Sequence, residues 1–242
     1  MPGRRAGQLH ALPFHALYSG EQYLADRHTL AYAPSATLIH HLWCQQPADS
    51  ETNNALIVGV ADKTIPAAES EARAIAELLG DSAELRTGNA ATFAPSLFAQ
   101  QPYRLLHLAS HATFRRDNPR FSAFKLADRW ITAAELTTAS TTPRFVTLSA
   151  CETGQHHVTG GDELLGLSRG FLAAGTQLLL VSLWQVNDEA TAQLMKHYYR
   201  HLRAGQPANV ALRQAQQMLR QQYDHPYFWA AFVLIGHADL TL

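Results

Sequence analysis

Cysteine is scarce in this chain: two residues, Cys44 and Cys151, far apart in a sequence of 242. That excludes a disulfide framework and a zinc site built on paired cysteines, and it suits the cytosol. Charge is also sparse. Charged residues make up 16% and the formal net charge is -1, so there is no overall attraction to nucleic acid or to an anionic membrane surface. Long apolar runs are missing, since stretches such as 178–184 fall far below the roughly 18 residues of a spanning helix. The start Met1-Pro2-Gly3-Arg4-Arg5 leads into no signal-peptide core. Low-complexity tracts and repeats with a period of 20 to 50 residues are absent as well. The expectation is a cytoplasmic protein with no membrane and no direct nucleic-acid partner.

What is abundant is apolar side chain, at 47%. A chain this long and this apolar folds around a sizeable core, as one large α/β domain or two small ones, with one the expectation. Continuous apolar runs at 55–60, 105–109, 145–149 and 177–182 read as strands of a parallel sheet covered on both faces. Helical patterns occupy 67–79, 164–174, 189–203 and 208–222, with Gly80, Gly175 and Gly205 placed as stops. A last run at 232–235 returns as a further strand. The alternation makes the fold class α/β with a mostly parallel central sheet. Residues 1–54 differ in character, broken by Pro13, Pro34 and Pro47 around a helix near 35–43, and form an N-terminal layer on the core of 55–242. Residues 117–129 and 154–161 read as loops, each following a strand.

In open α/β sheets, reactive groups collect beyond the carboxyl ends of the strands. His111 follows the run 105–109, and Cys151 follows 145–149. If those strands are neighbours, an imidazole faces a thiol across the sheet's rim, and the imidazole can take the thiol proton to make a nucleophile. Spacing alone favours a plainer alternative, in which Cys151 is a small buried hydrophobe and His111 a hydrogen-bonded turn residue.

Five stretches carry more information: HLASHATF at 107–114, TLSACETG at 147–154, GGDELLGLSRGFLAAG at 160–175, VSLWQVNDEAT at 181–191 and HPYFWAAFVLIG at 225–236. In this order, over residues 9–236, the chain resembles the CHAT family, relatives of caspases and separases within the caspase-like peptidases. The resemblance implies a caspase-like three-layer α/β/α sandwich and a cysteine endopeptidase with a histidine–cysteine dyad. On it, His111 is the catalytic histidine, Cys151 the nucleophile and His107 structural. Backbone N–H groups of Cys151 and Ala112 would hold the oxyanion. Many relatives have glycine where Ala112 stands. The family pattern asks for no third catalytic carboxylate and no cofactor.

Trp184-Gln185-Val186-Asn187-Asp188 resembles the separase stretch whose final aspartate receives a basic substrate side chain, so Asp188 is a candidate specificity residue. Asn187 or Asp188 is equally a natural N-cap for the following helix. Asp162 and Glu163 read as caps, and Glu152 as a residue of the cleft. The expected partners are a protein or peptide substrate and a tetratricopeptide-repeat region or other regulator, since such repeats commonly precede CHAT domains.

Other motifs read more plainly. Gly166-Leu167-Ser168-Arg169-Gly170 fits the serine-hydrolase elbow in spelling, but apolar periodicity continues through it as a helix. Gly160-Gly161 lacks the lysine of a phosphate loop, and His107 and His111 lack the glutamate of a zinc helix. His156 and His157 are weak candidates near the thiol. Tyr227, Phe228, Trp229 and Phe232 read as core, and Cys44 as buried and inert. Three readings follow: a cysteine peptidase, a catalytically silent CHAT-type interaction module, and a serine hydrolase at Ser168.

Overall fold

A computed structural model describes residues 12–44, 54–92, 103–115, 117–138, 142–149, 164–184 and 187–242. Its strands are β1 (Ala55–Gly59), β2 (Ala83–Thr87), β3 (Leu105–Ala109), β4 (Ala112–Thr113), β5 (Ala123–Lys125), β6 (Trp130–Thr132), β7 (Phe145–Ser149), β8 (Leu178–Ser182) and β9 (Phe232–Gly236). The main sheet has the order β2-β1-β3-β7-β8-β9, parallel except for β9. A three-stranded antiparallel sheet, β4-β5-β6, stands beside it. Its strand β5 lies inside 117–129, which the sequence reads as a loop; three strands of only two or three residues each give no run long enough to register as strand.

The helices are α1 (Leu24–Arg27), α2 (Ala36–Cys44), α3 (Ala68–Leu79), α4 (Ala133–Leu136), α5 (Leu164–Ala173), α6 (Asp188–Arg203), α7 (Ala208–Arg220) and α8 (Pro226–Trp229). Strands β1, β3, β8 and β9 are buried along their whole length, as the continuous apolar runs require of a sheet covered on both faces. Alternate residues feed two cores. Ile57, Leu105, Phe145 and Leu180 pack with α3, α6 and α7, whereas Leu56, Leu106, Val146 and Leu179 pack with Phe171 of α5 and Ile131 of β6. The result is three layers, helix on sheet on helix.

Gly59 lets α3 come close to β1: a Cβ there would lie 2.7 Å from Cβ of Ala72 and 2.9 Å from the Ala68 carbonyl oxygen. Gly80, Gly175 and Gly205 all have positive φ where helices stop, as their placement in the sequence suggests. The N-terminal segment reaches the antiparallel edge, where Tyr32 exchanges backbone hydrogen bonds with β9, from its N–H to Leu234 and from the Gly236 N–H to its carbonyl.

Candidate active site

Strands β3 and β7 are parallel neighbours in a register that pairs His107 with Thr147 and Ala109 with Ser149. The two candidate residues therefore follow in sequence by the same step from a matched pair, His111 two residues beyond Ala109 and Cys151 two beyond Ser149. Cys151 itself lies outside the described residues, as do Glu152, His156, His157, Gly160, Gly161, Asp162 and Glu163.

The His111 ring is buried, and its two nitrogens are in different circumstances. Nε2 lies 2.6 Å from Oδ2 of Asp62 and 3.1 Å from Oγ1 of Thr64. Asp62 follows β1, so three adjacent parallel strands lead to one rim. The Thr64 hydroxyl and N–H donate to Oδ1 of Asp62 at 2.7 and 2.8 Å. These bonds, with that from His111, hold the Asp62 carboxyl well below the usual carboxylate range. A carboxylate beside Nε2 fixes the tautomer with its proton there. Nδ1 is buried and has no hydrogen-bond partner among the described residues. The sequence reading asks for no carboxylate behind the histidine, and Asp62 is the residue it missed; its signal is an acid just past an apolar strand.

A small cleft of about 30 Å³ opens at the same rim, between α3 and α6 and above the ends of β3 and β7. Its walls are Ile65, the small residues Ala67, Ala68, Ala109, Ser149 and Thr191, and two acids, Glu71 and Asp188. The Asn187 side chain caps α6 by accepting from the Glu189 and Ala190 N–H groups, which resolves the choice of cap in favour of Asn187. Asp188 is half-buried in the cleft wall. Burial pushes its carboxyl up and the negative charge of Glu71 adds to this, while the Ala67 N–H partly offsets both.

Glu71 is 6% exposed and stands over a polar stack inside the core. Its Oε1 is 3.1 Å from Nε2 of His107, close enough for an ion pair but off the line of a hydrogen bond. His107 Nδ1 meets the Tyr199 hydroxyl at 3.1 Å, and that hydroxyl donates to Oγ1 of Thr147 at 2.8 Å. His107 is thus bound within the fold between β7 and helices α3 and α6, and only His111 reaches the rim.

Beyond the histidine, Ala112 starts β4 opposite Phe124 of β5. The bond from the Lys125 N–H to the His111 carbonyl makes 112/124 a non-hydrogen-bonded pair, so the Ala112 N–H is directed away from β5.

The CHAT domain model matches residues 5–237. The chain belongs to the CHAT domain family. Tetratricopeptide repeat protein 28 of mouse and of human are each 28% identical to it, over 98% of this chain but 12% of their own length. In fold the CHAT domain is similar to separase in the Saccharomyces cerevisiae separase–securin complex, with TM-score 0.66, 16% identity and coverage of 94% of this chain and 15% of that one. It is also similar to the Arg-specific cysteine proteinase gingipain R, with TM-score 0.57, 13% identity and coverage of 81% and 48%. At those identities the likeness is one of fold, and the fold is caspase-like.

Some sequence-based expectations fall elsewhere in this CHAT domain. Ser168 is fully buried inside α5, so no strand presents it as an elbow. Cys44 is exposed rather than buried, with its sulfur 3.7 Å from Nε2 of His40 one turn earlier. The buried side of α2 runs through Leu42, and a residue two positions on points away from it. Of the aromatic set, Trp229 and Phe232 are core, but Tyr227 is 43% exposed near Trp184, whose Nε1–H donates to the Tyr227 carbonyl. Among the described residues no helix is long and apolar enough to cross a membrane.

Proposed function

We propose that this CHAT domain is a cysteine endopeptidase in which Cys151 is the nucleophile and His111 its base, with Asp62 positioning the imidazole. One observation carries the reading: a buried histidine at the end of β3, next to the strand that leads to Cys151, has Nε2 committed to Asp62 and Thr64 and Nδ1 without a partner among the described residues. A buried ring nitrogen normally finds a hydrogen-bond partner, and none of the described residues supplies one to Nδ1 of His111. This suits a base that waits for a proton.

The steps follow. Nδ1 takes the proton of the Cys151 thiol, and the thiolate attacks the scissile carbonyl carbon. The N–H groups of Cys151 and Ala112 hold the resulting oxyanion, a role supported by the direction of the Ala112 N–H away from β5. The imidazolium returns its proton to the departing amine, leaving a thioester on Cys151. Water then loses a proton to His111, attacks the thioester, and releases the new carboxyl end and the thiol. The chemistry needs no cofactor.

Asp188 in the cleft, with Glu152 beside the nucleophile, is assigned to substrate binding. A carboxylate whose charge is penalised by burial favours a cationic side chain, so the cut follows a basic residue. The gingipain likeness, to an enzyme named as Arg-specific, agrees with this. The name of the mammalian relatives supports a tetratricopeptide-repeat region or a separate regulator as the partner that controls the site, and the cysteine usage supports a cytoplasmic setting.

The test is digestion of a peptide library, with products identified by mass spectrometry. The wild type is expected to cut after basic residues and Cys151→Ala to leave the library intact. A wild type that cuts nothing, alone or with its repeat-containing partner, would favour the silent interaction module instead.

A further inference from the structure

We propose that Tyr199, buried on α6, is a positioning residue: its hydroxyl bridges His107 of β3 and Thr147 of β7 and so sets the spacing of the two segments that carry His111 and Cys151. The proposal rests on the peptidase reading above and deepens it.

His107 and Thr147 are direct partners across the β3–β7 pair, and each precedes its candidate residue by the same four positions. The Tyr199 hydroxyl donates to Oγ1 of Thr147 at 2.8 Å and lies 3.1 Å from Nδ1 of His107, where its oxygen can accept the Nδ1–H. All three residues are at most 2% exposed, so water does not compete for these bonds. On the far side of the His107 ring, Nε2 meets Glu71 of α3 at 3.1 Å. Helix α3 follows the segment whose Asp62 and Thr64 hold Nε2 of His111. One buried group of side chains thus ties β3, which leads to His111, to β7, which leads to Cys151, and to the helix that follows Asp62 and Thr64.

Filling space does not require the hydroxyl. Tyr199 belongs to the apolar core that holds Leu105, Phe145, Leu194 and Met195, where phenylalanine would occupy nearly the same volume. Burying a hydroxyl costs free energy unless it is bonded, and a bonded buried network favours one arrangement of the elements it joins. Burial, with Tyr198 and Glu71 nearby, keeps the phenol well above its ordinary pKa, so the donor is present throughout the neutral range. Backbone pairing fixes the β3–β7 register as far as Ala109 and Ser149. Past those residues, the separation of the two segments depends on how firmly the strand ends beneath them are held. Imidazole and thiol must come within hydrogen-bond reach, and a misplacement of about 1 Å can cost on the order of a hundredfold in rate.

The experiment uses the full chain with Cys44→Ser, which leaves Cys151 as the one thiol. Alkylation by iodoacetamide is followed against pH to give the apparent pKa of that thiol, a readout that does not depend on cleavage, and urea unfolding reports stability. The parent is expected to show a thiol pKa below the ordinary value of about 8.5, and His111→Ala to return it there. Tyr199→Phe removes only the hydroxyl. It is expected to move the thiol pKa part of the way back, and to lower kcat on a cleaved peptide about tenfold with KM within about twofold. Thr147→Val breaks the bridge from the strand side and is expected to match it, whereas Thr147→Ser keeps the acceptor and is expected to retain the parent profile. Should Tyr199→Phe not fold, the contrast between valine and serine at position 147 carries the same test. A thiol pKa unchanged in Tyr199→Phe and Thr147→Val, with stability alone reduced, overturns the proposal. The outcomes are separable: a thiol indifferent to His111→Ala strikes the pairing of His111 with Cys151, whereas a thiol that responds to His111 but not to Tyr199 or Thr147 strikes this proposal alone.

Discussion

Nε2 of His111 stands 2.6 Å from Oδ2 of Asp62, a contact between the chain segments that follow β3 and β1. The carboxylate takes one nitrogen out of play and orients the other. Asp62→Asn is therefore expected to lower kcat by on the order of 10²–10⁴-fold, the range associated with a positioned acid–base group, with KM changed much less. Thr64→Val, which removes a donor to Asp62, is expected to do the same more mildly. Steady-state kinetics on a peptide taken from the library screen decide it, and an Asp62→Asn enzyme with unaltered kcat would show that the contact is structural.

Asp188 gives the site a pH dependence of known sign. Its carboxyl is raised above the ordinary value by burial and by the nearby charge of Glu71. Its charge is thus lost at a higher pH than an ordinary aspartate's as the solution is acidified. Binding of arginine peptides to the Cys151→Ala protein is expected to weaken as pH falls through that raised value, while binding of citrulline peptides stays flat. Asp188→Asn is expected to shrink the difference between them at neutral pH.

His15 links pH to stability. Its ring is buried against Trp229, with Nε2 at 3.0 Å from the Ala230 carbonyl, and burial holds its pKa down at about 4 against 6.5. The unfolded chain binds the proton first. The contribution of the neutral ring to stability is complete above pH 6.5 and is lost as pH falls from there toward 4, on the order of 2–3 kcal/mol for a buried group with this shift. Urea unfolding at pH 7 and pH 5 is expected to show a steeper loss for the wild type than for His15→Gln, whose side chain can still donate to Ala230.

Gly59→Ala puts a methyl group against the Ala68 carbonyl and Ala72. It is expected to destabilise the protein by about 1–3 kcal/mol, an overpacking cost measurable by urea unfolding.

These sites differ in how far the sequence announces them. The runs at 105–109 and 145–149 match β3 and β7 in both bounds, because strands covered on both faces must be apolar throughout. Strand β2, with the sequence AELRT, escapes notice since it lies at the sheet's edge, partly exposed, and carries two charges. His111 is legible from its position after a strand. Asp62 is legible only once β1 is known to lie beside β3, a fact of strand order rather than of local pattern. Glu71 stands in a helix full of glutamates and alanines, where only the phase of the buried stripe separates it from Glu69. Cys44 misled for a related reason: an apolar helix with one buried side still exposes the residues on its other side.

The exposed thiol of Cys44 supplies a control for the most direct measurement, intact-protein mass spectrometry after treatment with a peptidyl acyloxymethyl ketone ending in arginine. The expected result is one adduct, mapped to Cys151, absent in Cys151→Ala and in His111→Ala and unchanged in Ser168→Ala, while a small alkylating reagent modifies Cys44 in every variant. No adduct on Cys151 in a folded wild type, with or without its repeat-containing partner, or an adduct that survives His111→Ala at the same rate, would contradict the assignment of Cys151 and His111 as a catalytic pair.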